Sequence, residues 1–235
     1  MALRKNKKKQ APGQAQRKLV TKTNPKSPVS EQYRTIRTNI QFSTVDEAIR
    51  SIVVTSTAPG EGKSTTVSNL AVVFAQQGKK VLLIDADLRK PTTHYTFQIM
   101  NTKGLTNVLT KQIHFHEAVQ ETVMENLNIL TSGPIPPNPS ELLASNAMKQ
   151  LLEEAYKLYD LVLFDAPPIL AVTDAQVLAN LSDGSIMVTS SGFTDKDAAV
   201  KAKELLENAK SKLLGAILNN KQVNEKSYYY YYSYK

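Results

Sequence analysis

The 235-residue chain contains no cysteine and no apolar run long enough to cross a bilayer. Without cysteine there is no disulfide framework, no thiolate metal site and no thiol nucleophile, which fits a reducing cytosol. The apolar runs, such as LAVVFA and LVLF, are far shorter than the ~20 residues that a membrane-spanning helix needs. The N-terminus carries charges that no apolar segment follows, so we expect no signal peptide.

The first 26 residues lack acidic side chains: they hold nine Lys and Arg and no Asp or Glu. The rest of the chain has 20 basic and 21 acidic residues, so the net charge of +8 comes from this segment. Its Gln, Pro and Lys content predicts a disordered tail. The tail is either a solubilising extension or a segment attracted to an anionic membrane surface. Specific nucleic-acid binding is not expected, because the rest of the chain has no basic surplus.

Predicted strands and helices alternate after this tail. Residues 27–43 predict a helix with Val29, Tyr33, Ile36 and Ile40 on one apolar stripe. A second helix is predicted to begin with a capping box in which Asn138 is the N-cap, followed by Pro139 and Glu141.

Six apolar segments predict strands, at residues 51–56, 80–87, 127–132, 160–167, 184–191 and 213–219. Continuous apolar strands separated by helices predict an α/β fold with a mostly parallel sheet covered by helices on both faces. We expect three regions: a disordered basic tail (1–26), a folded domain (27–220) and a flexible C-terminal tail (221–235).

A phosphate-binding loop is predicted between the first strand and the helix that follows it, which we expect to be amphipathic. The segment APGEGKST places glycines where the backbone must curl so that successive N–H groups converge on phosphate oxygens. Lys63 would reach the β- and γ-phosphates, and the Ser64 hydroxyl would bind Mg²⁺. The first glycine of the usual P-loop pattern is replaced by Thr57. The predicted nucleotide-binding residues are Pro59, Gly60, Glu61, Gly62, Lys63, Ser64 and Thr65.

Three acidic residues follow two other predicted strands. Asp85 and Asp87 lie in VLLIDADLRKP, and Asp165 lies in LVLFDAPP. Because ligands bind at the carboxyl edge of an open α/β sheet, we expect these acids beside the phosphates. Asp87 and Asp165 would support the water shell of Mg²⁺, and Asp85 would accept a proton from the attacking hydroxyl. The roles of Asp85 and Asp87 can be exchanged.

The base of the nucleotide is less well defined by the sequence. NNKQV (219–223) lacks the Asp of the guanine-reading N-K-x-D pattern, which disfavours GTP. Asn219 is the candidate for an adenine contact, and an ordinary turn residue is the equal alternative.

The chain ends in SYYYYYSYK, which holds six of its ten tyrosines: Tyr228, Tyr229, Tyr230, Tyr231, Tyr232 and Tyr234. By itself the cluster fits either a sticky tail or a docking strip; beside APGEGKST, IDADLR and LVLFDAPP it fits a set of acceptor hydroxyls on a flexible tether. Phosphorylation would add about −1.5 to −2 charges per tyrosine.

Taken together, APGEGKST, VLLIDADLRKP, LVLFDAPP and the terminal tyrosines resemble the bacterial protein-tyrosine kinases (BY-kinases). The similarity covers the chain from about residue 25 onward and is greatest to the cytoplasmic Gram-positive form associated with capsule and exopolysaccharide synthesis. Ala58 stands where the ParA/MinD group usually carries a signature lysine.

The resemblance implies a P-loop NTPase fold and an ATP- and Mg²⁺-dependent tyrosine kinase with Lys63, Asp85, Asp87 and Asp165 as catalytic residues. It implies trans-autophosphorylation of the terminal tyrosines in a ring, with Glu31, Arg34 and Arg37 at the subunit interface. It also implies a transmembrane activator, other proteins phosphorylated on tyrosine, a cognate tyrosine phosphatase, and a cytoplasmic location at the inner face of the membrane.

Two other functions use the same residues. A ParA/MinD-like ATPase switch would use water as the nucleophile, and a non-catalytic membrane adaptor would use the tyrosines as a docking strip.

Overall fold

A computed structural model describes residues 19–43 and 48–222, and every structural statement below refers to them. Seven strands form one sheet in the spatial order β3-β4-β2-β5-β1-β6-β7. All neighbouring strands are parallel except β3 and β4, which are antiparallel. The strands are β1 (Ser51–Ser56), β2 (Val81–Asp85), β3 (Val119–Glu121), β4 (Leu127–Leu130), β5 (Leu161–Asp165), β6 (Gly184–Ser190) and β7 (Lys212–Asn219).

Helices cover both faces of the sheet, as predicted, and two apolar cores result. The first three helices pack on one face, and α5 to α10 supply the core of the other face. The helices are α1 (Val20–Thr23), α2 (Pro28–Phe42), α3 (Lys63–Ala75), α4 (Thr93–Phe97), α5 (Leu105–Leu109), α6 (Phe115–Ala118), α7 (Pro139–Leu143), α8 (Asn146–Leu158), α9 (Asp174–Leu181) and α10 (Lys196–Glu207).

The six predicted strands are all present, and β3 is a short edge strand that the sequence pattern missed. β2 and β5 end at Asp85 and Asp165, two residues before the predicted ends. The predicted strand ends were therefore wrong at this edge, because the chain leaves the sheet there to form loops around the acids.

The helix after the phosphate-binding loop is buried on every side rather than amphipathic. All but two residues of α3 are buried, in an unbroken run from Thr66 to Ala75. A helix that is apolar all round belongs in the interior of a domain. Here α3 lies between the sheet and the first two helices.

The predicted helix at residues 27–43 is α2, and its N-cap is Ser27, whose side chain accepts a hydrogen bond from the backbone N–H of Ser30. Tyr33 and Ile40 are buried and Ile36 packs against the same core. Val29 was wrongly placed on this stripe, since it lies in the first turn and is 53% exposed.

The predicted capping box at Asn138 does not form. No side chain caps α7; instead the Asn138 amide donates to the Glu141 carboxylate, at 2.8 Å. The amide and the carboxylate satisfy each other at the surface, and α7 ends after five residues. The longer α8 begins at Ser145, whose hydroxyl accepts from Met148 N–H at 3.3 Å.

The folded part begins earlier than the predicted boundary at residue 26. Leu19 and Thr21 are buried. The backbone N–H and hydroxyl of Thr21 both donate to Asn69 Oδ1 in α3, at 3.0 and 2.8 Å. These buried bonds attach residues 19–23 to the folded body, so the tail prediction was wrong for them; residues 1–18 lie outside the described residues.

A span across a membrane would need a longer and more apolar helix than any found in residues 19–43 and 48–222.

Candidate active site

The phosphate-binding loop connects β1 to α3 at the carboxyl edge of the sheet, where β2 and β5 also end. Gly60 and Gly62 have φ angles of +87° and +94°, which glycine adopts without steric cost. Thr57 is not among the described residues with positive φ, so the loop needs no glycine at that position.

A cleft of 490 Å³ opens beside this loop. Six of the predicted nucleotide-binding residues line it: Pro59, Gly60, Gly62, Lys63, Ser64 and Thr65. Opposite groups come from two other loops: Asp87, Arg89, Lys90, Thr92, Pro167, Pro168, Ala171 and Val172. Glu61 and Asn219, also predicted to bind nucleotide, are not in the cleft lining.

Lys63 connects the loop to the acids. Its Nζ lies 2.9 Å from Asp87 Oδ2, 3.3 Å from Asp165 Oδ1 and 3.4 Å from Ser64 Oγ. Burial by itself lowers the pKa of Lys63, but Asp165 and Asp87 outweigh burial and the pKa is raised. The amine therefore remains a cation at the place where the loop would present phosphate.

Asp85 and Asp165 are register partners on the adjacent strands β2 and β5, and both are fully buried. Asp85 Oδ2 accepts the backbone N–H groups of Thr92 and Thr93, each at 2.9 Å. Burial and the neighbouring Asp165 raise the pKa of Asp85 to about 7. Asp85 is thereby suited to exchange a proton near neutral pH.

Asp87 faces the cleft more directly than Asp85. Its Oδ2 pairs with Lys63 and its Oδ1 accepts the Lys90 backbone N–H at 3.0 Å. It is 5% exposed and lines the cleft, whereas Asp85 is fully buried. The two acids of IDADLR thus differ in their access to the cleft.

The residues present fit a magnesium ion held largely through water. In the part of the chain that the structure describes, no three His, Cys, Asp or Glu side chains are grouped to hold a metal directly. Asp85 Oδ1 and Asp165 Oδ2 are buried and have no hydrogen-bond partner among residues 19–43 and 48–222. These two carboxylate oxygens are suitable acceptors for the waters of a hydrated Mg²⁺ that the Ser64 hydroxyl would hold.

Glu61 is fully buried, and its carboxylate turns into the protein. It accepts the backbone N–H groups of Thr57 and Ala58 at 2.7 and 3.0 Å, and also the hydroxyls of Thr57 and Thr194. These bonds explain the threonine in place of the usual first glycine, because the Thr57 hydroxyl helps hold Glu61.

Asn219 lies at the end of β7 and contacts the loop from outside the cleft. Its Nδ2 donates to the Glu61 carbonyl at 3.0 Å. A Cβ on Gly62 would lie 2.0 Å from this Nδ2, so only glycine fits there. The adenine contact of Asn219 stays a prediction. The hydrogen bond from Asn219 to the Glu61 carbonyl was not predicted from the sequence.

The charged wall opposite the loop was not predicted from the sequence. Arg89 donates to Asp174 at 3.0 and 3.1 Å and to Ser140 at 3.3 Å, and Asp174 is fully buried. The signal for this wall was present in DLRKP and DAPP, which begin at Asp87 and Asp165. The pairing with Asp174, 85 positions away, has no local signal.

The predicted interface residues lie on α2 and make contacts within the chain. Arg34 pairs with Glu31 and donates to the Pro25 carbonyl at 2.8 Å. Arg37 donates to the Val73 carbonyl at 2.9 Å. Their role between subunits stays a prediction. The predicted acceptor tyrosines, Tyr228 to Tyr232 and Tyr234, lie outside the described residues.

Comparisons with known proteins agree with the observed fold. A family model described as an AAA domain matches residues 49–213. The chain is 60% identical over 235 residues to the tyrosine-protein kinase YwqD of Bacillus subtilis strain 168, covering 100% of this chain and 98% of that protein. It is 45% identical over 208 residues to the putative tyrosine-protein kinase CapB of Staphylococcus aureus, covering 88% of this chain and 91% of that one.

Among solved structures, the crystal structure of the chimerical protein CapA2B2 matches with a TM-score of 0.85 and 45% identity, covering 87% of this chain and 90% of that chain. The predicted P-loop NTPase fold and family are thereby confirmed. The chain belongs to the bacterial protein-tyrosine kinase (BY-kinase) family and is a tyrosine-protein kinase.

Proposed function

We propose that the chain transfers the γ-phosphoryl group of ATP to tyrosine hydroxyls, including those at its own C-terminus. The observation that carries the proposal is the convergence of Lys63 with Asp87 and Asp165 on one cleft beside a glycine-bent loop. Such a loop offers backbone N–H groups to phosphate, and catalysis of phosphoryl transfer is mostly positioning and charge neutralisation.

Each residue has one task in this reaction. The loop from Pro59 to Thr65 binds the phosphates, and Lys63 neutralises charge that develops on the transferring group. The Ser64 hydroxyl would hold Mg²⁺, and Asp87 and Asp165 would support its water shell. When bound, Mg²⁺ would supply positive charge to the phosphate oxygens.

Phosphoryl transfer to tyrosine needs no reactant other than ATP and the tyrosine hydroxyl. The tyrosine oxygen forms a bond to the γ-phosphorus, the bond from that phosphorus to the β,γ-bridging oxygen breaks, and ADP leaves. The tyrosine proton passes to Asp85, directly or through one water, since the pKa of Asp85 is raised to about 7. Asp87 is the alternative base because it faces the cleft.

The acceptors are most simply the six tyrosines of the C-terminal segment. The fifteen residues after Asn220 span at most about 50 Å when extended, enough to reach the cleft of a neighbouring subunit. We therefore propose phosphorylation in trans within a ring, with Glu31, Arg34 and Arg37 at the interface. Accumulated phosphate would repel the segment from the site and loosen the ring.

The remaining features follow the family resemblance. We propose a transmembrane activator that brings the chain to the inner face of the membrane, and control of capsule or exopolysaccharide synthesis through phosphorylated proteins. A tyrosine phosphatase would reset the system.

The test is to incubate the protein with labelled ATP, Mg²⁺ and a cytoplasmic fragment of the activator, and then to map the label. We expect phosphotyrosine between Tyr228 and Tyr234, lost when all six tyrosines are changed to Phe. Normal incorporation in that six-fold variant would contradict the tail as acceptor. Free phosphate without phosphotyrosine would indicate an ATPase switch instead, and no turnover would indicate an adaptor.

A further inference from the structure

Glu61 is a buried carboxylate without a cation. It is fully buried, and none of the ion pairs found among residues 19–43 and 48–222 includes it. Four donors replace a cation: two backbone N–H groups on Oε2 and two hydroxyls on Oε1. A buried carboxylate is tolerated when its lone pairs are filled by such donors.

The P-loop pattern does not require this acid, because the position before its second glycine is unspecified. The carboxylate bends back to the start of the same loop, at Thr57 and Ala58, and closes it into a ring of hydrogen bonds. Glu61 also stands between two glycines of positive φ, which by themselves give the backbone wide freedom. A side chain anchored there removes much of that freedom.

Thr194, at the other end of the hydrogen bond to Glu61, is also held in place. Thr194 lies in the turn between β6 and α10, and its Oγ1 accepts the Ser190 backbone N–H at 2.7 Å. The Thr194 backbone N–H donates to the Ser190 carbonyl at 2.9 Å. Because the oxygen is already engaged as an acceptor, its proton is left to donate to Glu61.

A second contact joins the loop to the same region. Asn219 donates from its side chain to the Glu61 carbonyl, and its own carbonyl accepts the Ser191 backbone N–H at 2.9 Å. The ends of β6 and β7 therefore hold Glu61 at both its side chain and its backbone.

We propose that Glu61 and Thr194 form a clamp that holds the phosphate-binding loop in its binding shape, which makes Glu61 a positioning residue for the nucleotide. The loop binds phosphate with backbone N–H groups, and their convergence has to exist before the phosphate arrives for binding to be strong. If the hydrogen bond from Thr194 is lost, Glu61 Oε1 keeps only the Thr57 hydroxyl as a donor. The loop can then adopt conformations in which its backbone N–H groups no longer converge. The inference rests on the nucleotide binding of the proposed function.

The test compares Thr194→Val, which loses the hydroxyl at nearly equal volume, with Thr194→Ser, which keeps it. Thr189→Val is a matched control, because Thr189 lies near the end of β6 and its hydroxyl donates to the Ile217 carbonyl rather than to the loop. Equilibrium binding of ADP with Mg²⁺ is measured first. We expect about tenfold weaker binding for Thr194→Val, the loss that one hydrogen bond to a charged group predicts, and near-normal binding for the other two.

Two further measurements separate positioning from general destabilisation. In steady-state kinetics, Thr194→Val should raise the KM for ATP by about tenfold with a much smaller change in kcat, since the reacting groups are untouched. In the nucleotide-free protein, hydrogen exchange at the Thr57 and Ala58 amides should become about tenfold faster, while exchange in the central strands is unchanged.

Three results would overturn the clamp: ADP affinity of Thr194→Val within about twofold of the parent, unchanged exchange at Thr57 and Ala58, or equal loss in Thr194→Ser. If the parent protein itself fails to bind ADP, the proposed function is wrong, and the exchange of the nucleotide-free protein alone decides the clamp.

Discussion

Two groups of buried carboxylates lie near the phosphate-binding loop, and they differ in how completely they are hydrogen-bonded. Glu61 has four donors. Asp85 and Asp165 lie side by side, and each keeps one oxygen without a hydrogen-bond partner in the described part of the chain. A satisfied carboxylate fixes the local structure, whereas an unsatisfied one remains able to take a proton or a water. These two uses of the same functional group can be separated by substitution.

The largest effect is expected from Lys63→Met, which removes the cation shared by Asp87 and Asp165. Tyrosine phosphorylation should fall by about 10³-fold, the cost of losing one strong charge-stabilising group. Lys90→Met is the control, because it removes a cation from the same cleft without breaking a contact to the acids. More than a tenth of the parent rate in Lys63→Met, on the scale of such losses, would contradict the role.

Asp85→Asn should lower the rate by about 10²-fold if Asp85 takes the tyrosine proton. The asparagine oxygen can still accept the Thr92 and Thr93 N–H groups, so the fold should be retained. Both the rate and the melting temperature are measured. Asp87→Asn is the comparison: a larger loss there, with Asp85→Asn nearly normal, would exchange the two roles.

Part of the site could be predicted from the sequence, and part could not. Lys63, Ser64 and the three aspartates were predictable because each follows an apolar strand or a glycine-rich loop, and parallel strands bring such ends together. The hydrogen bonding of Glu61 was not predictable, because its partner Thr194 lies 133 positions away in a turn that carries no recognised motif. The antiparallel β3 was missed for a similar reason: three half-exposed residues carry too little pattern.

The pH dependence of the free energy of unfolding should report the raised pKa of Asp85. The pKa of Asp85 is about 7 in the folded chain and near 3.8 in the unfolded chain, so the folded state holds a proton that the unfolded state releases between these values. Stability should therefore fall as pH rises from 4 to 7, by up to about tenfold in the unfolding constant per pH unit, and level off above that.

Denaturant unfolding of the nucleotide-free protein, at several pH values across this window, measures the slope. Asp85→Asn should flatten it. An identical slope in the parent and in Asp85→Asn would show that Asp85 titrates as it does in the unfolded chain.

Glu61→Ala should reduce the free energy of unfolding by about 3 kcal/mol, because it leaves several buried donors without an acceptor. Chemical denaturation measures the loss. Glu154→Ala on the exposed side of α8 is the control and should change stability by less than about 0.5 kcal/mol. A loss no larger than the control would mean that water replaces the carboxylate.

The smallest effect is expected from Thr57→Gly, which restores the usual first glycine of the loop. It removes one hydroxyl from Glu61 and adds backbone freedom, so stability should fall by about 1 kcal/mol. Thermal unfolding measures the change. An increase in stability would show that the threonine is tolerated there rather than useful.

Because Asn219 lies close to Gly62, the residue types allowed at these two positions are restricted to different degrees. Gly62 is fixed twice, by its φ of +94° and by the 2.0 Å separation between an added Cβ and Asn219 Nδ2. Shortening residue 219 relieves only the second restriction, so no change there makes a larger residue acceptable at position 62. Position 62 therefore requires glycine whatever residue stands at 219, whereas a smaller residue at 219 would lose the hydrogen bond to the Glu61 carbonyl.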